Sequence, residues 1–289
     1  MKTQQAIDDY LTQNHRYVLL IKLLYLYILK NNYMNTNSNY FKNRKTIRKY
    51  QDKPVDETLI HDLLSLSMEA PTTGGMQLYS AIISTDKAVI EKLAPCHFNQ
   101  PAIKNAPMVI TFCADFNRFV KWCDLSNAKH GYDNFQSFVS ALLDVTIFAQ
   151  QFNTIAEMNG LGCCYLGTTT YNAPDIASVL NLPKLVVPVT TLTVGYPDDD
   201  SVKAERLPLR GIVHKNIYSD YSAEQIKEIH AEKESLDINK KYVAENGKEN
   251  LAQVFTDVRY TKENNELFSE IFYKFIEEQG FHFPTLHKD

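Results

Sequence analysis

Glycine is scarce in this chain: there are 10 in 289 residues, about half the ~7% usual in globular proteins. A glycine loop that cradles phosphate therefore has few places to be. Cysteine is equally thin. The five (Cys96, Cys113, Cys123, Cys163, Cys164) are odd in number, form no C-x-x-C pair and show no zinc spacing with the eight histidines. That pattern excludes a disulfide framework, favours free thiols in the cytoplasm and offers no metal centre. The formal charge is only −4, so the chain is not a strongly basic nucleic-acid binder. No run reaches the ~20 apolar residues of a spanning helix. The nearest, Tyr17 to Leu29, covers 13 residues with Lys22 near its middle. Asp8 and Asp9 offset Lys2 and Arg16, and no small-residue cleavage site follows, so neither export nor membrane insertion is expected. Two readings of this N-terminal extension, residues 1–33, stay open: an added amphipathic helix, or an upstream stretch ahead of a native start at Met34. The second is expected, because Met34 opens a polar leader that runs into the patterned sequence.

With 44% hydrophobic and 22% charged side chains, the chain can bury a core, on the order of 75% of its unfolded surface at this length. Leu59, Ile60, Leu63 and Leu64 recur at helical spacing behind a cap at Asp56, which predicts a helix over 54–70 that ends at Pro71. The runs 78–85 and 108–114 read as buried strands with a short helix, KAVIEKLA, between them. The longest periodic segment, 134–159, has apolar residues around much of its circumference, which predicts a central helix stopped by Gly160. Strands at 163–166 and 186–195 follow, with a helix begun by Pro174 between them. From Ser222 onwards the sequence reads as helices AEQIKEIHAEKESL, NLAQVFTDV and NELFSEIFYKFIEEQG. The last carries a stripe of Leu267, Ile271, Phe272 and Phe275, which must pack on the body or on a second subunit. The organisation read from the sequence is therefore an α+β domain over 34–221 and a helical C-terminal arm over 222–289.

The segment Lys42 to Lys49, KNRKTIRK, holds five basic residues in eight. It is either an anion site or a solvated surface stretch. If it opens a helix, Arg44, Thr46 and Arg48 can converge on one phosphate. In GLGCCYLGTTT, three of the ten glycines fall within eight residues. The dinucleotide fingerprint fails at Tyr165 and the phosphate loop fails at Thr168. A helix cap and tight strand packing explain Gly160 and Gly162. Gly167, beside Thr168, Thr169 and Thr170, suits close approach of the backbone to a flat ligand. No nucleophile elbow is present, and Cys96 beside His97 reads as structural because chain neighbours seldom face each other.

Taken together, Arg44-Lys-Thr-Ile-Arg48-Lys-Tyr50, Ala70-Pro-Thr-Thr-Gly-Gly-Met-Gln77, Gly160-Leu-Gly162 with Tyr165-Leu-Gly167-Thr168, Val194-Gly195-Tyr-Pro197 and Glu205-Arg206-Leu-Pro resemble the flavin-dependent nitroreductase family. The resemblance runs from about Arg44 to His214 and is best to the larger, oxygen-insensitive NAD(P)H nitroreductases and flavin reductases. It implies an α+β fold with a central mixed sheet flanked by helices, a homodimer, and one FMN at each subunit interface, with NADPH or NADH as co-substrate. Carried over by position, Arg44, Lys45, Thr46 and Arg48 would hold the FMN phosphate together with Arg206. Thr72, Thr73 and Gln77 would line the ribityl chain and ring. Gln100 would bond the ring edge, and Gly167 with Thr168 would present backbone N–H near flavin N5. Three positions depart from the pattern: Gly75 stands where many relatives have asparagine, Ala204 where many have a second phosphate lysine, and Thr168 where glycine is frequent. The implied chemistry is ping-pong reduction of nitroaromatic, quinone or related acceptors, with no catalytic side chain because flavin N5 carries the hydride. The alternatives are a flavin-binding protein of this fold without such turnover, and a branch acting on another acceptor such as free flavin. No nucleic-acid or membrane partner is expected.

Overall fold

A computed structural model describes residues 38–198 and 200–283. The chain divides into two compact units, Met1–Lys45 and Thr46–Asp289. The described part of the first is residues 38–45, helical over 38–43. The apolar run 17–29 and the expected start at Met34 lie outside the described residues.

The second unit is built on four strands: β1 (Tyr79–Ser84), β2 (Met108–Asp115), β3 (Gly162–Leu166) and β4 (Val186–Gly195), in the order β1-β2-β4-β3. Every pairing is antiparallel. The one parallel contact among the described residues is an isolated bridge, Asn134 with His282. β4 is central yet carries Pro188, which cannot donate to a ladder. The register shifts between Phe112 and Cys113, opposite Pro188, and this irregularity accommodates the proline.

Alternation along the strands sends residues to two cores. On one face Met108, Ile110, Phe112, Cys163, Leu192 and Val194 join α1 (Glu57–Ser67) and α5 (Phe135–Met158). On the other, Val109, Cys164 and Leu166 join Ile47, Tyr50, α2 (Lys87–Cys96), α3 (Pro101–Lys104) and α6 (Ala173–Val179). The result is a three-layer sandwich with helices on both faces of the sheet. Asp56 caps α1 as expected, accepting from Thr58 N–H at 2.7 Å, and Asn134 caps α5, accepting from Ser137 N–H at 3.0 Å. Gly160, at φ +81°, supplies the left-handed residue that ends α5.

α5 is central, as expected, but it is not covered all round. Leu143 and Ile147, one helical turn apart, are 58% and 42% exposed. The helix α4 (Asn117–Leu125) follows β2. The C-terminal segment contains α7 (Ala223–Ser235), α8 (Asp237–Glu245), α9 (Leu251–Val254), a π-helical turn (Phe255–Arg259) and α10 (Lys262–Glu278). The stripe on α10 packs on its own subunit. Phe275, Ile276 and the following Phe281 enter the core that α5 shares, with Phe272 at its edge against Phe138. Leu267 stays exposed. The stripe is thus divided: Phe272 and Phe275 pack on the body of their own chain, and Leu267 faces outward.

Candidate functional site

The edge strand β3 organises the residues that the sequence singles out. At its start, Ile47 N–H donates to the Cys163 carbonyl at 3.1 Å, so Thr46 to Arg48 run alongside the strand rather than opening a helix. Gly162 makes this approach possible, because a Cβ there would lie 2.6 Å from Ile47 Cβ. Tyr50 fixes the segment further, its hydroxyl lying 2.9 Å from the Ile47 carbonyl and 2.6 Å from Thr193 Oγ1. Thr46 is half-buried and Arg48 exposed. Arg44 and Lys45 belong to the first compact unit.

At the other end of β3, Gly167 is exposed, and a Cβ built on it meets nothing within 4 Å. Packing therefore gives no reason for glycine here, in contrast to Gly162, and the space beside the backbone is open to a ligand. Thr168 is half-buried, and its Oγ1 lies 2.8 Å from His97 Nδ1. His97 itself is fully buried. It begins a turn in which Phe98 and Asn99 both take left-handed φ values, 53° and 54°, before Gln100 caps α3. Consecutive left-handed residues that are not glycine store strain, and such strain concentrates at ligand-holding turns. The Gln100 side chain makes no hydrogen bond with a described residue, so its amide is free for a ligand edge. Cys96 does not face its neighbour: burial pushes its thiol pKa up, with Asp175 adding to the effect, and its Sγ points to the Lys92 carbonyl.

Thr72, Thr73 and Gln77 lie elsewhere, in a loop whose Met76 and Leu78 join the core on the α5 face of the sheet. Asp144 of α5 holds this loop, accepting from Thr73 N–H at 2.8 Å, Thr73 Oγ1–H at 2.7 Å and Leu78 N–H at 3.2 Å. Thr73 thus spends its hydroxyl on the scaffold. Gly74 and Gly75 turn the loop at φ +56° and +71°. Asparagine is the other residue that tolerates this conformation readily, which explains why glycine can stand at position 75. Arg118 secures the loop's far end through the Gln77 and Tyr79 carbonyls.

Arg206 is exposed and donates to the Ala204 and Glu205 carbonyls of its own loop, at 3.1 and 2.9 Å. That loop is tied to α7 by a Glu205–Lys233 ion pair of 3.1 Å, which helps hold the Glu205 carboxyl below its usual range after the larger effect of its own backbone N–H. One chain therefore gathers Thr46, Arg48, Gln100, Gly167 and Thr168 around β3 and its α2–α3 face, and carries Thr72, Thr73 and Gln77 on the opposite face. Asp144 and His97 are the residues that the sequence reading did not assign to the site. A lone acid in the buried phase of the apolar run Ala141-Leu-Leu-Asp-Val is a signal for the first. The second has none, since its partner lies 71 residues away.

Burial alone lowers the His97 pKa from 6.5 to about 4. The folded chain resists protonation there, whereas the unfolded chain takes up a proton at the ordinary value. The stabilisation is complete above pH 6.5 and is lost as pH falls towards 4, a loss of roughly 3 kcal/mol across that window. Denaturant titrations at pH 7 and pH 4.5 should show this as a fall in midpoint, smaller in a His97→Asn variant.

Fold and geometry define a class: an α+β domain with helices on both faces of its sheet, in which a basic segment and a hydroxyl-bearing turn stand at the two ends of an edge strand. The chain belongs to the Nitroreductase family, whose profile matches residues 41–196. It is 31% identical over 187 residues to an FMN reductase [NAD(P)H] of Bacillus subtilis, covering 64% of this chain and 75% of that one. It is 31% identical over 174 residues to an oxygen-insensitive NADPH nitroreductase of Salmonella typhimurium, covering 60% and 71% respectively. Among solved structures, a protein from Bacteroides fragilis matches with TM-score 0.83 and 53% identity, over 84% of this chain and 99% of that one.

Proposed function

We propose that this chain is an FMN-dependent oxidoreductase of the cytoplasm that takes hydride from NAD(P)H and reduces nitroaromatic, quinone or related acceptors, as relatives named FMN reductase and NADPH nitroreductase suggest. The observation that carries this reading is β3. It separates the Thr46–Arg48 segment from the open Gly167–Thr168 turn by about 13–17 Å at ~3.3 Å per residue, a span suited to an elongated ligand with an anionic end. The residues fit the group. Thr46, Arg48 and Arg206 would hold its phosphate; Gln100 and the open turn would meet its ring. Bound there, FMN would supply hydride acceptance and donation, so that donor and acceptor use one place in turn. The chain's own residues bind and orient it, which needs neither a side-chain nucleophile nor a metal.

The reading also requires a homodimer. Thr72, Thr73 and Gln77 face away from the β3 site of their own chain, and a second copy would bring them to it. No described helix is long and apolar enough to cross a membrane.

Arg48→Ala and Arg206→Ala each remove charge-assisted bonds of ~1.5–3 kcal/mol to phosphate, an expected weakening of FMN binding by roughly ten- to a hundredfold. Both side chains are exposed, so the melting temperature of the apoprotein should hardly move. Unchanged FMN affinity in both variants would remove the anion site. For turnover, NAD(P)H oxidation with a nitroaromatic or quinone should give parallel double-reciprocal lines; flavin retention without turnover would favour a flavin-binding protein of this fold.

A further inference from the structure

We propose that His97 is a positioning residue that turns the Thr168 hydroxyl into a hydrogen-bond donor for the ring of the bound flavin; this rests on the FMN reading above. One turn carries His97 and Gln100, and the other carries Thr168 next to Gly167, with open space beside Gly167. The imidazole joins them, with Nδ1 2.8 Å from Thr168 Oγ1. A second link runs parallel to it, from Asn172 Nδ2 to the Cys96 carbonyl at 2.7 Å. His97 also organises its own turn, donating its N–H to the Ala94 carbonyl at 3.0 Å and accepting from Gln100 N–H at 3.2 Å. The backbone that places Gln100 and the side chain that meets Thr168 thus belong to one residue.

The direction of the bond follows from what is left over. Nε2 is buried and has no partner among the described residues, and a neutral ring carries one N–H. If the proton sat on Nε2, a buried donor would be orphaned and the Thr168 hydrogen would be consumed by Nδ1. If it sits on Nδ1, that N–H donates to Thr168 Oγ1 and Nε2 is left as an acceptor. Orphaned buried N–H groups are the rarer case. Thr168 Oγ1 then accepts from His97, and its own hydrogen has no other described partner. Thr168 is half-buried and follows Gly167, beside which there is room for a ligand. The ring's burial keeps it neutral at physiological pH, so the arrangement holds wherever the protein works.

The test is a cycle of His97→Phe, Thr168→Val and the double variant, with His97→Asn as the conservative replacement because its amide can donate from near the Nδ1 position. FMN is titrated into each apoprotein by flavin fluorescence, and the fine structure of the bound flavin's visible absorbance is recorded. Loss of one hydrogen bond predicts a rise in the FMN dissociation constant of about three- to tenfold in either single variant. The double variant should be no worse than the singles, and His97→Asn should stay near wild type. Histidine ¹⁵N shifts in the unmutated protein should report the Nδ1–H form, and the Nε2–H form would overturn the proposal even if the variants fold poorly. FMN affinity and spectrum unchanged in His97→Phe, or single effects that add in the double variant, would overturn the positioning role alone. A wild-type chain that takes up no FMN would overturn the flavin reading and, with it, the ligand proposed for Thr168.

Discussion

Replacing Leu143 and Ile147 together by aspartate is expected to leave a monomer that releases its flavin. Both residues stand on the outer side of α5, a helix otherwise packed into the core through Ala141, Val145, Phe148, Ala149 and Phe152. Neither side chain is needed inside its own subunit. The loop Thr72–Gln77 is anchored to the same helix through Asp144, so a copy that docks along this face brings that loop with it. Burying one such side chain contributes ~1.5–3 kcal/mol, and the pair therefore ~3–6 kcal/mol, or about 10² to 10⁴ in the dimer dissociation constant. Charging both positions adds desolvation to that loss. Light scattering reports the mass and flavin fluorescence the release, and the two should move at the same protein concentration. A dimer that retains its flavin would place the interface on another surface.

Asp144→Ala is expected to be the most damaging single change near the site. It strips the partner from three donors at once: Thr73 N–H, the Thr73 hydroxyl and the N–H of fully buried Leu78. The buried Leu78 N–H costs ~1–3 kcal/mol when unsatisfied, while exposed Thr73 loses two bonds of ~0.5–1.5 kcal/mol that water partly replaces, so roughly 2–4 kcal/mol is at stake. For a chain of this size that is on the order of a 10 °C fall in melting temperature. Asp144→Asn keeps an acceptor oxygen and should fall between the two. FMN affinity should drop in the alanine variant as the loop loses its register; an alanine variant with native melting and native FMN affinity would show that the carboxylate holds nothing of consequence.

Local physics made most of the fold legible. Strand β4 lies at 186–195 as its β-branched run predicts, and α5 at 135–158 as its period and Gly160 predict. The short helices α3 and α4 and the polar helix α8 escaped, because four to nine residues are too few to establish a period. The terminal stripe was visible, but its destination was not, since periodicity says that a face must be buried and not against what. The same limit governs the site. Sequence context set Gly167 apart from Gly162, but only the fold supplies the neighbours, Ile47 pressed against Gly162 and open space beside Gly167. The two-faced placement of Thr46 and Thr72 needs the strand order, which no local pattern encodes.

The central claim is that β3 and its flanking turns hold FMN, and the visible absorbance of the purified protein tests it most directly. The purified protein is expected to be yellow, or colourless and able to regain the flavin spectrum when FMN is added, with one flavin per chain, released on denaturation as FMN. A colourless chain that neither carries FMN nor takes it up would contradict the account.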